Sequence, residues 1–209
     1  MSHLLILFFA TYSAAFMATV PPGLLNMNAA KTSVERGKGN GIIFSLGVSS
    51  MIMLQAYVAV LISKFLYRNP EVIDLLLKLA IAVFAFFAIY FYLSAKNNKK
   101  KKLRLNKMSR KNSFLKGILL AALNLLTIPY YAGINAMWNA SGWIKFELWD
   151  VLTFILAAGA GTFTVLYLYT VYFNKLEKKT SAFSRNSNYV LSVLMLVLLM
   201  ITVIRIFYK

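Results

Sequence analysis

Long apolar stretches separated by short basic segments fill this chain, and they limit its fold more than any other feature. The six stretches are Leu4–Ala30, Gly41–Leu66, Val72–Ala95, Phe114–Trp138, Trp149–Phe173 and Tyr189–Phe207. Each is longer than the roughly 18 apolar residues that an α-helix needs to cross a bilayer. Only 14% of the residues are charged, against about 25% in soluble domains. The sequence therefore predicts an all-α membrane protein with six transmembrane helices.

The basic residues predict the orientation of these helices. The first, third and fifth connections carry three, ten and four of the 23 basic residues, whereas four of the six acidic residues lie near the opposite side. Because short basic loops stay in the cytoplasm, the odd connections are predicted inside and both chain termini outside. The basic connections are also expected to contact anionic lipid head groups. The net charge of +17 is concentrated there and is not interpreted as a nucleic-acid site.

The basic segment 96–113 divides the chain into two halves of three helices each, 1–95 and 114–209. A duplicated unit with an odd number of helices must be inverted relative to its copy. Two inverted three-helix repeats are typical of many secondary transporters. We therefore expect an inverted repeat, with residues 96–113 as a cytoplasmic linker.

Predicted helices one and four are interrupted at corresponding places. Helix one contains Pro21-Pro22-Gly23, and helix four contains Asn124 followed by Pro129. Proline removes a backbone donor, and glycine tolerates backbone conformations that other residues avoid. Backbone groups freed inside a bilayer need partners in the protein or in a wet cavity. The paired interruptions favour a substrate site over two simple proline kinks.

A zwitterionic amino acid would suit such a site. The N–H groups at a half-helix N-terminus attract a carboxylate, and freed carbonyl groups attract an ammonium group. Nearby asparagine and tyrosine side chains are candidate polar partners. The predicted substrate-binding residues are Pro21, Pro22, Gly23, Asn26, Asn28, Asn124, Pro129, Tyr130, Tyr131 and Asn135.

At these residues the chain resembles the LysE/RhtB-type amino-acid exporter family. Pro22-Gly23 matches the start of the family's Pro-Gly-Pro motif, with Leu24 in place of the second proline, and the glycine series Gly37-x3-Gly41-x5-Gly47 follows. The second motif, Phe-x2-Gly-x6-Asn-Pro, is matched in register by Phe114, Gly117 and Asn124, with Leu125 in place of the proline.

The resemblance implies export of amino acids or related small metabolites, driven by an ion gradient, in a bacterial inner membrane. The departures at Leu24 and Leu125 bear on the substrate more than on the fold. The sequence leaves the substrate, the coupling ion and the oligomeric state open, and a homo-oligomer is compatible with it. The alternative is a membrane scaffold or assembly factor that transports nothing and binds its partner through the basic linker.

Enzyme and metal chemistry are not predicted, and neither is a cofactor. Cysteine is absent, and the single histidine, His3, is expected to be an exposed bystander at the N-terminus. Ser45, Ser49, Ser50, Gln55, Thr162 and Thr164 supply the remaining mid-helix polarity, for which interhelical hydrogen bonds are the favoured explanation. Tyr169 and the tryptophans are expected at the membrane interfaces.

Overall fold

A computed structural model describes residues 2–69, 71–72, 78, 81–82, 85–86, 88–90, 92–93 and 110–207, with few side chains after residue 172. The helices are α1 (Ser2–Thr19), α2 (Leu24–Arg36), α3 (Lys38–Arg68), α4 (Arg110–Ala122), α5 (Thr127–Ala140) and α6 (Leu148–Phe207). The described residues between 71 and 93 are also helical. The regular structure described is therefore entirely helical, which confirms the predicted class.

Two compact units make up the chain. One comprises Met1–Tyr67 and Asn106–Leu176, and the other comprises Arg68–Leu105 and Glu177–Lys209. The first unit combines segments from both predicted repeats, and everything described below as a site lies within it. In the second unit, the Phe86 and Tyr90 rings stack with their centroids 6.4 Å apart.

Three described helical segments are long and apolar enough to span a membrane: Ser2–Thr19, Lys38–Arg68 and Leu148–Tyr172. The pair Asn112–Ala122 and Thr127–Ala140, bent by 68°, counts as a fourth if it forms one broken span. The third predicted helix and the linker fall largely outside the described residues. The six-span inverted repeat and the division at residues 95 and 113 therefore stay predictions.

Helix boundaries differ from the predicted ones at two basic connections. The first connection consists of Gly37 alone, with φ +87°, because α2 runs to Arg36 and α3 begins at Lys38. At the fifth, α6 is continuous through the polar segment 174–188. That segment contains neither glycine nor proline, so its polarity marks the end of an apolar stretch without breaking the helix.

Small residues allow the helices of the first unit to pack closely. A Cβ added at Gly161 of α6 would meet the Tyr12 carbonyl and the Ala15 side chain of α1. A Cβ at Gly41 of α3 would meet Ser33 of α2 and Thr170 of α6. The apolar core draws side chains from all six helices and from the α5–α6 connection, and its largest fully buried members include Leu7, Phe44, Ile144, Phe154 and Leu166. The two helix breaks lie in this same unit.

Candidate functional site

The first break joins α1 to α2 through residues 20–23. Pro21 and Pro22 have no N–H groups to continue the helical ladder, so the last carbonyls of α1 need other partners. The Asn26 side-chain amide donates to the Thr19 carbonyl at 2.5 Å and to the Pro21 carbonyl at 3.0 Å. These bonds fold the start of α2 back onto the end of α1.

Tyr169 of α6 binds a further carbonyl at this break. Its hydroxyl donates to the Val20 carbonyl at 2.9 Å and also interacts with Asn26. The sequence predicted an interfacial tyrosine, and it did not indicate the contact found here: Tyr169 is 9% exposed and binds the break. The Thr19, Val20 and Pro21 carbonyls, which are among those expected to face a substrate ammonium group, each accept a hydrogen bond from the protein itself. Pro21, Pro22 and Gly23 therefore shape a break that Asn26 and Tyr169 hold in place.

Removing the tyrosine hydroxyl should measurably loosen this break. Tyr169→Phe leaves the Val20 carbonyl without its donor, and we expect a loss of about 1 kcal/mol in the free energy of unfolding. Thermal unfolding in detergent, followed by circular dichroism, measures the change. Tyr167→Phe, at an exposed position on the same helix, is the matched control and should leave Tm unaltered. Equal Tm values for the two variants would contradict the capping role.

The second break lies between α4 and α5, at residues 123–126. Gln55 of α3 holds it, because its side-chain amide donates to the carbonyls of Ala121 at 3.1 Å and Asn124 at 3.4 Å. Pro129 is not in the break itself but at the third position of α5, where a missing N–H removes no helical bond. The Asn124 side chain is exposed, and its backbone carbonyl is the group engaged by Gln55.

The buried face of α5 carries Thr127, Tyr131 and Asn135, spaced one helical turn apart. The Tyr131 ring packs edge-on against Phe154 of α6 with centroids 6.0 Å apart, and its hydroxyl is hydrogen-bonded to Thr162. This face of α5 therefore packs directly against α6.

Two further bonds tie α5 to α1. The Trp138 indole N–H donates to Thr11 Oγ1 at 3.1 Å, and the Tyr130 hydroxyl donates to the Ala14 carbonyl at 2.8 Å. Polar side chains from three helices, all buried except the half-buried Trp138, thus meet between α1, α5 and α6. We call Thr11, Tyr131, Asn135, Trp138 and Thr162 the polar core.

Asn135 differs from the other members of the polar core. It is 0% exposed, and neither Nδ2 nor Oδ1 has a hydrogen-bond partner among the described residues. Native proteins pair nearly all buried polar groups, and an unpaired amide costs about 1–3 kcal/mol for each group left unsatisfied. Such a cost points to a group that binds something during function.

The structure therefore does not bring all the predicted site residues together. Pro21 and Asn26 are joined at the first break, while Tyr130, Tyr131 and Asn135 lie together on α5. Asn28 is buried in α2 and donates to the Leu24 carbonyl within its own helix.

Sequence reasoning also misjudged the start of α1. His3 Nε2 lies 3.0 Å from the carboxylate of Asp150, which is 1% exposed, so His3 is not the bystander that its terminal position suggested. No group of three metal-binding side chains is found among the described residues. No spacing in the sequence indicates the His3–Asp150 pair, because 147 residues separate its members.

Several described helices are long and apolar enough to span a membrane, as in an integral membrane protein, and paired broken helices are typical of transporters. The family model of the LysE type translocators matches residues 16–203, and the chain belongs to that family. This confirms the resemblance found in the sequence and places the protein among transporters rather than enzymes. Comparison with curated proteins and with solved structures gave no match.

Proposed function

We propose that the protein is a secondary-active exporter of amino acids or related small metabolites, driven by an ion gradient. Its substrate is handled by alternating access around the two broken segments, α1–α2 and α4–α5. Membership in the LysE type translocator family supports export of a small molecule across a membrane. The proposed location is a bacterial inner membrane with both termini outside, as the basic connections predict.

The observation that carries this proposal is the fully buried Asn135 with both amide atoms unpartnered among the described residues. It lies on α5, two turns after the second break, in the polar core shared with α1 and α6. A buried donor and acceptor without partners are costly in a merely structural helix. They are expected in a protein whose substrate supplies the missing bonds.

The breaks themselves support alternating access. Each is held by side-chain hydrogen bonds from another helix, through Tyr169 at the first and Gln55 at the second. Individual bonds of this kind contribute only about 1 kcal/mol, so the half-helices can exchange partners without unfolding. Hinges in proteins that close around a ligand are short segments of this type. Pro21, Pro22, Gly23, Asn26, Asn124 and Pro129 are thus proposed to shape the moving parts of the site.

An exchange assay in proteoliposomes tests the proposal. Vesicles preloaded with mixed amino acids are diluted, and the released species are identified by mass spectrometry. We expect export of particular amino acids, reduced about tenfold or more in a Pro22→Ala/Pro129→Ala variant that still inserts and folds. Tyr167→Phe serves as the control variant with unaltered transport.

Correctly oriented protein that moves no amino acid and no related metabolite would contradict the exporter proposal. The scaffold alternative would then gain weight, and deletion of Lys99–Lys102 would be the next variant, because a scaffold should lose its partner. Family membership does not favour that alternative.

A further inference from the structure

We propose that Asn135 binds the head group of an α-amino acid with an uncharged side chain, and that this residue determines which solutes the exporter accepts. The Oδ1 atom would accept from the ammonium group, and Nδ2 would donate to the carboxylate. This inference rests on the proposed exporter function and assigns a substrate class to the same site.

The chemistry of the side chain supports this assignment. A primary amide holds one acceptor and two donor hydrogens on neighbouring atoms. The ammonium and carboxylate of an α-amino acid present the opposite pattern on neighbouring carbons. Both amide atoms of Asn135 have no partner among the described residues, so a ligand would gain these bonds without breaking existing ones.

The other four side chains of the polar core already form hydrogen bonds with one another. Trp138 donates to Thr11, and Tyr131 is bonded to Thr162. Within this core, Asn135 is therefore the group with hydrogen-bonding capacity to spare. Each of these five side chains is uncharged. A solute with a net charge would enter a low-dielectric environment here without a counter-charge from them, which disfavours it strongly. A zwitterion brings two charges that compensate each other.

Aromatic rings flank Asn135 on its own helix. Tyr131 lies one turn before it and Trp138 nearly one turn after it, so all three share the face directed at α1 and α6. Such rings bring large apolar surfaces to this face of α5. The expected cargo is therefore an amino acid with an apolar side chain, of which leucine is the natural probe.

Two substitutions separate binding from structure. Asn135→Asp keeps the size and one acceptor but places a negative charge against the substrate carboxylate. We expect leucine exchange in proteoliposomes to fall at least about tenfold, and 3-methylbutylamine, which lacks the carboxylate, to become the preferred solute. Asn135→Leu should exchange neither leucine nor 3-methylbutylamine. It should nevertheless unfold at a higher Tm than the wild type, because it removes a buried unpaired amide.

A binding measurement distinguishes failure of this inference from failure of the exporter proposal. Excess leucine should raise the Tm of purified wild-type protein and should not raise that of Asn135→Asp. Leucine binding without transport would retain the site and overturn the exporter function. Leucine transport at wild-type rates in both variants, or an Asn135→Leu protein less stable than the wild type, would overturn the role of Asn135. Wild-type protein that neither binds nor moves leucine would overturn the proposed substrate class.

Discussion

Replacing Gly117 by alanine is expected to destabilise the protein by more than about 3 kcal/mol, the upper end of the usual cost of overpacking. A Cβ at Gly117 of α4 would overlap the Phe44 carbonyl of α3, and a Cβ at Gly47 of α3 would overlap the Phe114 carbonyl of α4. The contact is reciprocal, since each helix places the glycine three residues after the phenylalanine. Backbone atoms cannot move aside as a flexible side chain can, so the two helices would have to separate.

Gly133→Ala provides the matched control, because nothing lies within 4 Å of a Cβ built on this α5 glycine. Alanine there should stabilise the helix by up to about 1 kcal/mol through its higher helix propensity. The two identical substitutions are thus expected to shift Tm in opposite directions, measured by thermal unfolding in detergent. Gly117→Ala protein as stable as the wild type would show that α3 and α4 do not approach so closely.

This glycine contact shows what a sequence pattern can predict. Gly37, Gly41, Gly47 and Gly117 were identified from the family resemblance, and the structure gives three of them a packing role at helix contacts and Gly37 a turn with positive φ. The first break was also predictable, because Pro21, Pro22 and Gly23 impose local backbone geometry. The second break contains neither proline nor glycine, and Pro129 marks only the start of the helix that follows it. The sequence pattern could not predict which helix packs against each glycine, because this depends on which helices become neighbours in space.

The side chains that hold the breaks were less predictable for the same reason. Gln55 lies 66 residues before the Ala121 carbonyl it binds, and Tyr169 lies 149 residues after Val20. The hydropathy pattern predicts that a tyrosine near a helix end lies at the membrane interface. It gives no information about a carbonyl on another helix that needs a hydrogen-bond donor. Hydropathy also divided α6 at a polar segment whose residues are all compatible with a helix.

His3 shows the same limitation at the end of α1. A lone terminal histidine carries no local signal, and Asp150 was expected only to be an acidic residue outside the membrane. In the structure the Asp150 carboxylate accepts from the Lys145 backbone N–H at 2.7 Å and lies 3.0 Å from His3 Nε2. It is also in the first turn of α6, where the helix dipole favours a negative charge. This carboxylate therefore joins the start of α1 to the start of α6.

Asp150→Ala is expected to lower the free energy of unfolding by about 2–4 kcal/mol, because it removes both hydrogen bonds and leaves the Lys145 N–H without its acceptor. His3→Ala should cost about 1 kcal/mol or less, since the His3 side chain is 48% exposed and its interaction is weakened by solvent. Thermal or denaturant unfolding of the purified protein in detergent measures both changes.

The double variant identifies the origin of the two effects. If His3 acts through Asp150, His3→Ala should have almost no further effect in the Asp150→Ala background, so the two changes should not add. Additive losses would mean that the residues stabilise the protein independently. Asp150→Asn should lie between wild type and Asp150→Ala, because an amide oxygen still accepts from Lys145 but carries no charge for the helix dipole or for His3. The order of the three single variants thus separates the contribution of the charge from that of the hydrogen bonds.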